Sequence, residues 1–215
     1  MLKAIKSYVK EKMSGETTGH DFFHVDRVRR NALEIASKEI SAQTIDLFLV
    51  EAAALMHDLG DWKLNSTGRA EKEIIEAACS ELDMPPVYTE KIVDIITHMS
   101  YSSNISMKYD LLIEGQIVQD SDRLEALGAI GLARTFAHGG KNKSEIYNPT
   151  IKPRIYKSTK EYRTLKNTSI NHFYEKLFLL KDLMNTKTGK QMAERREKFM
   201  KDFLKEFYAE WNGEI

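Results

Sequence analysis

The chain has 215 residues, 42% hydrophobic and 30% charged, enough to build a globular core that needs no external staple. Its 32 basic and 32 acidic side chains give a formal net charge of zero, so no global field attracts nucleic acid and none is expected as a partner. A single cysteine, Cys79, excludes an intramolecular disulfide; no signal-peptide run and no stretch of ~20 apolar residues is present, so the expectation is a cytoplasmic protein without a membrane partner.

Apolar residues recur at helical spacing along the chain. They do so at Leu2, Ile5 and Val9, at Val25, Val28, Ala32 and Ile35, and at Leu47, Val50, Ala54 and Leu55. Further helices are predicted at about 69–82, 88–100, 113–137, 167–184 and 188–211, with stops at Gly60, Pro85-Pro86, Gly139-Gly140 and Pro149. Strand-like alternation is nearly absent, which predicts an all-α fold. The long irregular stretch at about 138–166 is too poor in apolar residues to separate two cores, so one domain over 1–215 is expected. Its basic segment, IKPRIYKSTKEYRTLKNTS, reads as a solvated loop.

Three of the six histidines, His20, His24 and His57, fall in short polar islands. In GHDFFHVDRV, His20 and His24 stand four residues apart, on one face if both are helical. In AAALMHDLGD, His57 and Asp58 interrupt an apolar helix near its end, and a buried pair of this kind needs partners. In IVQDSDRL, Asp120 and Asp122 are again carboxylates within apolar flanks. Two imidazoles and two carboxylates form an N/O ligand set suited to one divalent ion, with Mn, Fe, Mg, Co, Ni and Zn as candidates. Such an ion lowers the pKa of water and neutralises charge developing on a phosphoryl group.

Three islands in this order resemble the HD superfamily of metal-dependent phosphohydrolases, whose pattern is a His, a His-Asp pair and a distant Asp on successive helices. The likeness extends to a bacterial subgroup of small HD-domain hydrolases through GHDFFHVDRV, LMHDLGDWK, EGQIVQDSDRLEALGAIGLARTFAHGG, IYNP, HFYEKLFLLKDLMNT and AERREKFMKDFLKEF. The resemblance implies an HD-type helical bundle with the metal-site helices in about 20–126 and the helices of about 167–211 packed on them. It implies His24, His57, Asp58 and Asp122 as metal ligands. Asp120 is the competing choice, but two residues turn a helix by about 200°, so both carboxylates are not expected to reach one ion.

Other residues take secondary roles. Asp58 and Asp61 are candidate catalytic carboxylates, Asp61 as general base or as an acceptor behind a ligand. His20, Arg27, His98 and Lys176 are candidates for substrate phosphates. Their simpler readings are capping by His20-Asp21, a salt bridge for Arg27, a carbonyl partner for His98 and a solvated helix edge for Lys176. His138, before Gly139-Gly140, reads as a helix C-terminal cap. The resemblance implies hydrolysis of a phosphoester or phosphoanhydride bond in a nucleotide, with nucleoside triphosphate cleavage to monophosphate and pyrophosphate as the specific expectation. Nucleoside monophosphate phosphatase or phosphodiesterase action is the alternative, and a non-catalytic HD-type scaffold a third. A homodimer stays open.

Overall fold

A computed structural model of the chain describes residues 1–14, 21–40, 44–60, 68–105, 107–156, 158–164 and 167–215. Among them the regular structure is helical, as the periodicity predicts, and there is no strand. His20 and Asp61 lie outside the described residues.

The centre of the fold is α3, Leu47–Met56, whose residues from Leu49 to Met56 are buried except Glu51. A helix apolar on nearly all sides must be surrounded, and α3 is packed by α1 (Leu2–Lys12), α2 (Phe22–Glu39), α5 (Pro86–Met99) and α6 (Ile113–Glu125). The small side chains Ala52, Ala53 and Ala54 are fully buried, which lets these neighbours approach closely. Leu47 sits at the exposed start of the helix, 44% accessible, rather than in the core. The α4 helix, Glu71–Glu81, lies against α5.

Asp21 starts α2 by accepting a hydrogen bond from the His24 backbone N–H at 2.8 Å. Asp46 starts α3 in the same way through Leu49 N–H at 3.1 Å. Both are side-chain N-caps. Pro85-Pro86 acts as a start signal, with Pro86 at the first position of α5, where its missing N–H costs nothing.

The single helix expected over 113–137 is two. It breaks after Glu125 and resumes as α7, Gly128–Lys141. Gly128 supplies the break with φ +72°, a conformation that favours glycine, and the aliphatic stem of Arg196 passes about where its Cβ would be, 3.1 Å away. Gly139-Gly140 does not stop α7, which runs on to Lys141; its C-cap is Asn142, and His138 is exposed inside the last turn. Beyond a short helix α8, Thr159–Thr164, the stretch predicted at 167–184 divides into α9, Ser169–Glu175, and a 3-10 helix, Leu177–Leu183. The long α10, Lys187–Asn212, packs on α2, α6 and α7. No helix among the described residues is long and apolar enough to cross a membrane.

Candidate functional site

The N-terminal turn of α2, the C-terminal end of α3 and the second half of α6 meet at one point. Each contributes polar side chains that local structure fixes. His24 follows the Asp21 cap by three residues and is fully buried. His57 is the C-cap of α3, and its Nδ1 lies 2.9 Å from the Ala54 carbonyl oxygen. A carbonyl can only accept, so Nδ1 carries the proton and Nε2 is left with its lone pair. That buried Nε2 has no hydrogen-bond partner among the described residues. Asp58, buried in the turn after α3, completes a group in which His24, His57 and Asp58 offer ligand atoms all within 4.8 Å of one another.

Asp122 of α6 faces the same point. Its Oδ1 is 3.5 Å from His24 Nε2 and 3.7 Å from His57 Nε2. Asp58 lies 3.3 Å from His24 Nε2 through Oδ2 and 3.4 Å from His57 Nε2 through Oδ1. Two imidazole edges and two carboxylates thus converge, with the Asp122 side chain 38% exposed as the opening to solvent. Burial pushes the His24 imidazole down, but hydrogen bonding to Asp122, Asp58 and Glu125 outweighs it and raises the group to about 10. Burial pushes the Asp122 carboxyl up, whereas the hydrogen bond to His24 holds it well below the usual carboxylate range. Two carboxylates brought within 3.3 to 3.7 Å of two imidazole Nε2 atoms place negative charge and lone pairs around one point. A divalent cation fits that point, with N and O donors of the right kind, and the partnerless His57 Nε2 suits a ligand to it.

The secondary residues divide. Arg27 does not turn to Asp58; its Nε donates to Glu125 Oε2 at 2.6 Å. His98 Nδ1 is 2.9 Å from both the Asp94 carbonyl oxygen and Asp94 Oδ1, and the ring lies against Tyr109 at 4.3 Å. Lys176, the C-cap of α9, holds its ammonium 5.0 Å from the centre of the Tyr101 ring. Asp120 is fully buried and faces Asn185 and Thr186 instead of the cluster.

Sequence reasoning missed Glu125. It is 2% exposed, and its Oε2 lies 3.5 Å from His24 Nδ1, behind the ring. The available signal was spacing: Glu125 is three residues after Asp122 and therefore on a neighbouring face of α6.

A family model described as HD domain matches residues 22–127. The Bacillus subtilis protein YpgQ is 36% identical over 210 residues, 97% of this chain and 93% of that protein. A crystal structure of an HD-superfamily hydrolase from Bacillus thuringiensis matches at 38% identity with a TM-score of 0.73, covering 98% of this chain and 96% of that one. The chain belongs to the HD superfamily. Its fold is accordingly the all-α HD bundle, and its relatives include a hydrolase. A Lactobacillus plantarum structure superposes with a TM-score of 0.88 at 38% identity, covering 99% and 97% of the two chains. The crystal structure of YpgQ in complex with ADP matches with a TM-score of 0.75 at 32% identity, covering 97% of this HD protein and 94% of that chain.

Proposed function

We propose that this HD protein hydrolyses a phosphoester or phosphoanhydride bond in a nucleotide, using one divalent metal ion held by His24, His57, Asp58 and Asp122. The observation that carries the reading is the convergence of the two imidazole Nε2 atoms with the Asp58 and Asp122 carboxylates, at 3.3 to 3.7 Å. A bound divalent ion supplies Lewis acidity, lowering the pKa of water and neutralising charge on phosphoryl oxygens. The protein's own residues then have defined tasks. The Ala54 carbonyl fixes the His57 tautomer so that its lone pair points into the site. Asp122 keeps its negative charge and stands at the open side. Asp61, three residues beyond Asp58, is the proposed general base and His20 a phosphate contact, both on sequence grounds. Lys176 beside Tyr101 is a further phosphate contact in this reading.

Water is the proposed nucleophile. Cys79 is buried in α4, and burial pushes its thiol up, away from the thiolate that attack would require. The ADP complex of YpgQ favours a nucleotide substrate, and cleavage of nucleoside triphosphates to monophosphate and pyrophosphate is the specific bond proposed. Monophosphate phosphatase or phosphodiesterase action would release orthophosphate from a monophosphate, or open a diester, instead. The test is a panel of nucleotides with Mn, Mg, Co, Ni and Zn in turn, followed by product analysis. Pyrophosphate carrying or accompanying one solvent-derived oxygen after a single turnover in labelled water supports the reading. No cleaved nucleotide with any metal would leave an HD-type binding scaffold.

A further inference from the structure

Behind the first histidine lies a buried charged box. Glu125, at the end of α6, is gripped from two helices: Arg27 Nε lies 2.6 Å from its Oε2, while Asn31 Nδ2 is 3.4 Å and Arg196 Nη1 3.8 Å from its Oε1. His24, Arg27 and Asn31 stand at i, i+3 and i+7 on one stripe of α2, facing α6. Arg196 comes from α10 and is itself tied to α6 by donating Nη1 to the Leu124 carbonyl. Glu125 is 2% exposed, and the Arg27 guanidinium 2.6 Å away balances its charge in that nearly solvent-free position. That anion is 3.5 Å from His24 Nδ1, on the opposite edge of the ring from Asp58 and Asp122.

We infer that Glu125 is a positioning residue for His24: it accepts from Nδ1–H and so presents the Nε2 lone pair to the metal, with Arg27, Asn31 and Arg196 holding the carboxylate in place. The inference rests on the metal reading proposed above. A ligand imidazole that donates its second N–H to a carboxylate has its tautomer and ring orientation fixed and its basicity raised. His57 reaches the same end with a neutral partner, the Ala54 carbonyl. The two ligand histidines thus have unlike supports, one backbone and one charged side chain, and only the second can be removed by substitution. Arg27 accordingly belongs to this support and not to a free phosphate clamp. The route also gives α10 a link to the site, from Arg196 through Glu125 to His24.

The test is Mn(II) binding by calorimetry to the full chain and to its Glu125→Gln and Glu125→Ala variants. With it goes the imidazole N–H spectrum of the 15N-labelled, Zn(II)-loaded protein. Affinity should fall about tenfold in Glu125→Gln, whose amide oxygen still accepts, and about a hundredfold in Glu125→Ala, which has no acceptor. The His24 Nδ1 proton should lie downfield in the parent and move upfield in both variants, while the His57 Nδ1 proton keeps its position. A role confined to neutralising Arg27 and Arg196 would leave the His24 resonance where it was. Should Glu125→Ala fail to fold, Glu125→Gln decides alone. Mn(II) affinity within twofold of the parent in Glu125→Gln, or an unmoved His24 resonance, overturns the inference. A parent that binds no Mn(II) overturns the metal reading itself, a separate and distinguishable result.

Discussion

Asp120 and Asp122 stand two residues apart on α6, yet one carboxylate is built into the fold and the other faces the site. Asp120 is completely buried and accepts from Asn185 N–H at 2.9 Å, Asn185 Nδ2 at 2.9 Å, Thr186 N–H at 2.8 Å and Thr186 Oγ1 at 2.8 Å. Those donors are the residues that start α10, so Asp120 fastens the C-terminal helix to the site helix. Gly189 leaves room for it: a Cβ there would stand 2.6 Å from Asp120 Oδ2. Asp122 instead looks toward two imidazoles, 3.5 and 3.7 Å away. Burial pushes the Asp120 carboxyl up despite its hydrogen bonds, whereas the hydrogen bond to His24 pulls Asp122 down. A carboxylate whose lone pairs are filled by fixed N–H and O–H donors is structural. One whose neighbours are themselves candidate ligands is free to take a cation.

The largest effect that could sharpen this contrast is on chemistry. Asp58→Ala removes a carboxylate 3.3 and 3.4 Å from the two histidines, and turnover should fall at least roughly a thousandfold, the several kcal/mol that metal activation supplies. Circular dichroism should show the helices intact, and turnover within tenfold of the parent would refute a ligand role for Asp58.

Asp120→Asn should act on stability instead. It replaces a buried acceptor with a group that presents its own N–H to donors, at a cost of about 3 kcal/mol. For a chain of this length that lowers the thermal midpoint by roughly 6–12 °C. A midpoint within a degree of the parent would show that Asp120 does not hold α10.

A smaller effect is expected from pH on the metal-free chain. His24 is raised from 6.5 to about 10 by Asp122, Asp58 and Glu125, against the opposing effect of burial. Below pH 6.5 folded and unfolded chains both hold the proton, and its stabilisation is fully present. As pH rises through 10 the folded state loses it too, and the contribution disappears. Melting with a chelator should therefore show a midpoint that drops between pH 7 and 10 in the parent, and less so in His24→Gln. Identical pH profiles for the two would count against a His24 held positive by its neighbours.

The smallest effect belongs to His98→Ala. Because the ring nitrogen is spent on Asp94 and the ring on Tyr109, kcat should change by less than about threefold. A loss of a hundredfold would restore His98 to the chemistry.

The cluster was legible because His24, His57, Asp58 and Asp122 are polar residues set into apolar helical stretches, where the cost of burial demands an explanation. The choice of Asp122 over Asp120 came from the family pattern, whereas helical rotation said only that the two carboxylates would not reach one ion together; the structure turns them apart as that rotation requires. Glu125 was not legible in that way. An acid near a helix end looks like a solvated residue, and its partners Arg27 and Asn31, 98 and 94 residues away in sequence, and Arg196 of α10 meet it only once α2, α6 and α10 are packed. The break between α6 and α7 was hidden because apolar spacing continues through Leu124, Leu127 and Leu132, while the extended backbone of Leu127 and the positive φ of Gly128 interrupt the helix. The division of 167–184 at Lys176 has the same origin: Phe173, Leu177 and Leu180 keep a buried stripe across a change from α to 3-10 geometry.

Mn(II) titration of Asp122→Asn and Asp120→Asn beside the parent tests the central claim most directly. The parent should bind one ion per chain, Asp120→Asn should still bind it with affinity within a few-fold, and Asp122→Asn should lose at least about a hundredfold. Equal losses in the two variants, or the greater loss in Asp120→Asn, would contradict the division of labour between these two carboxylates.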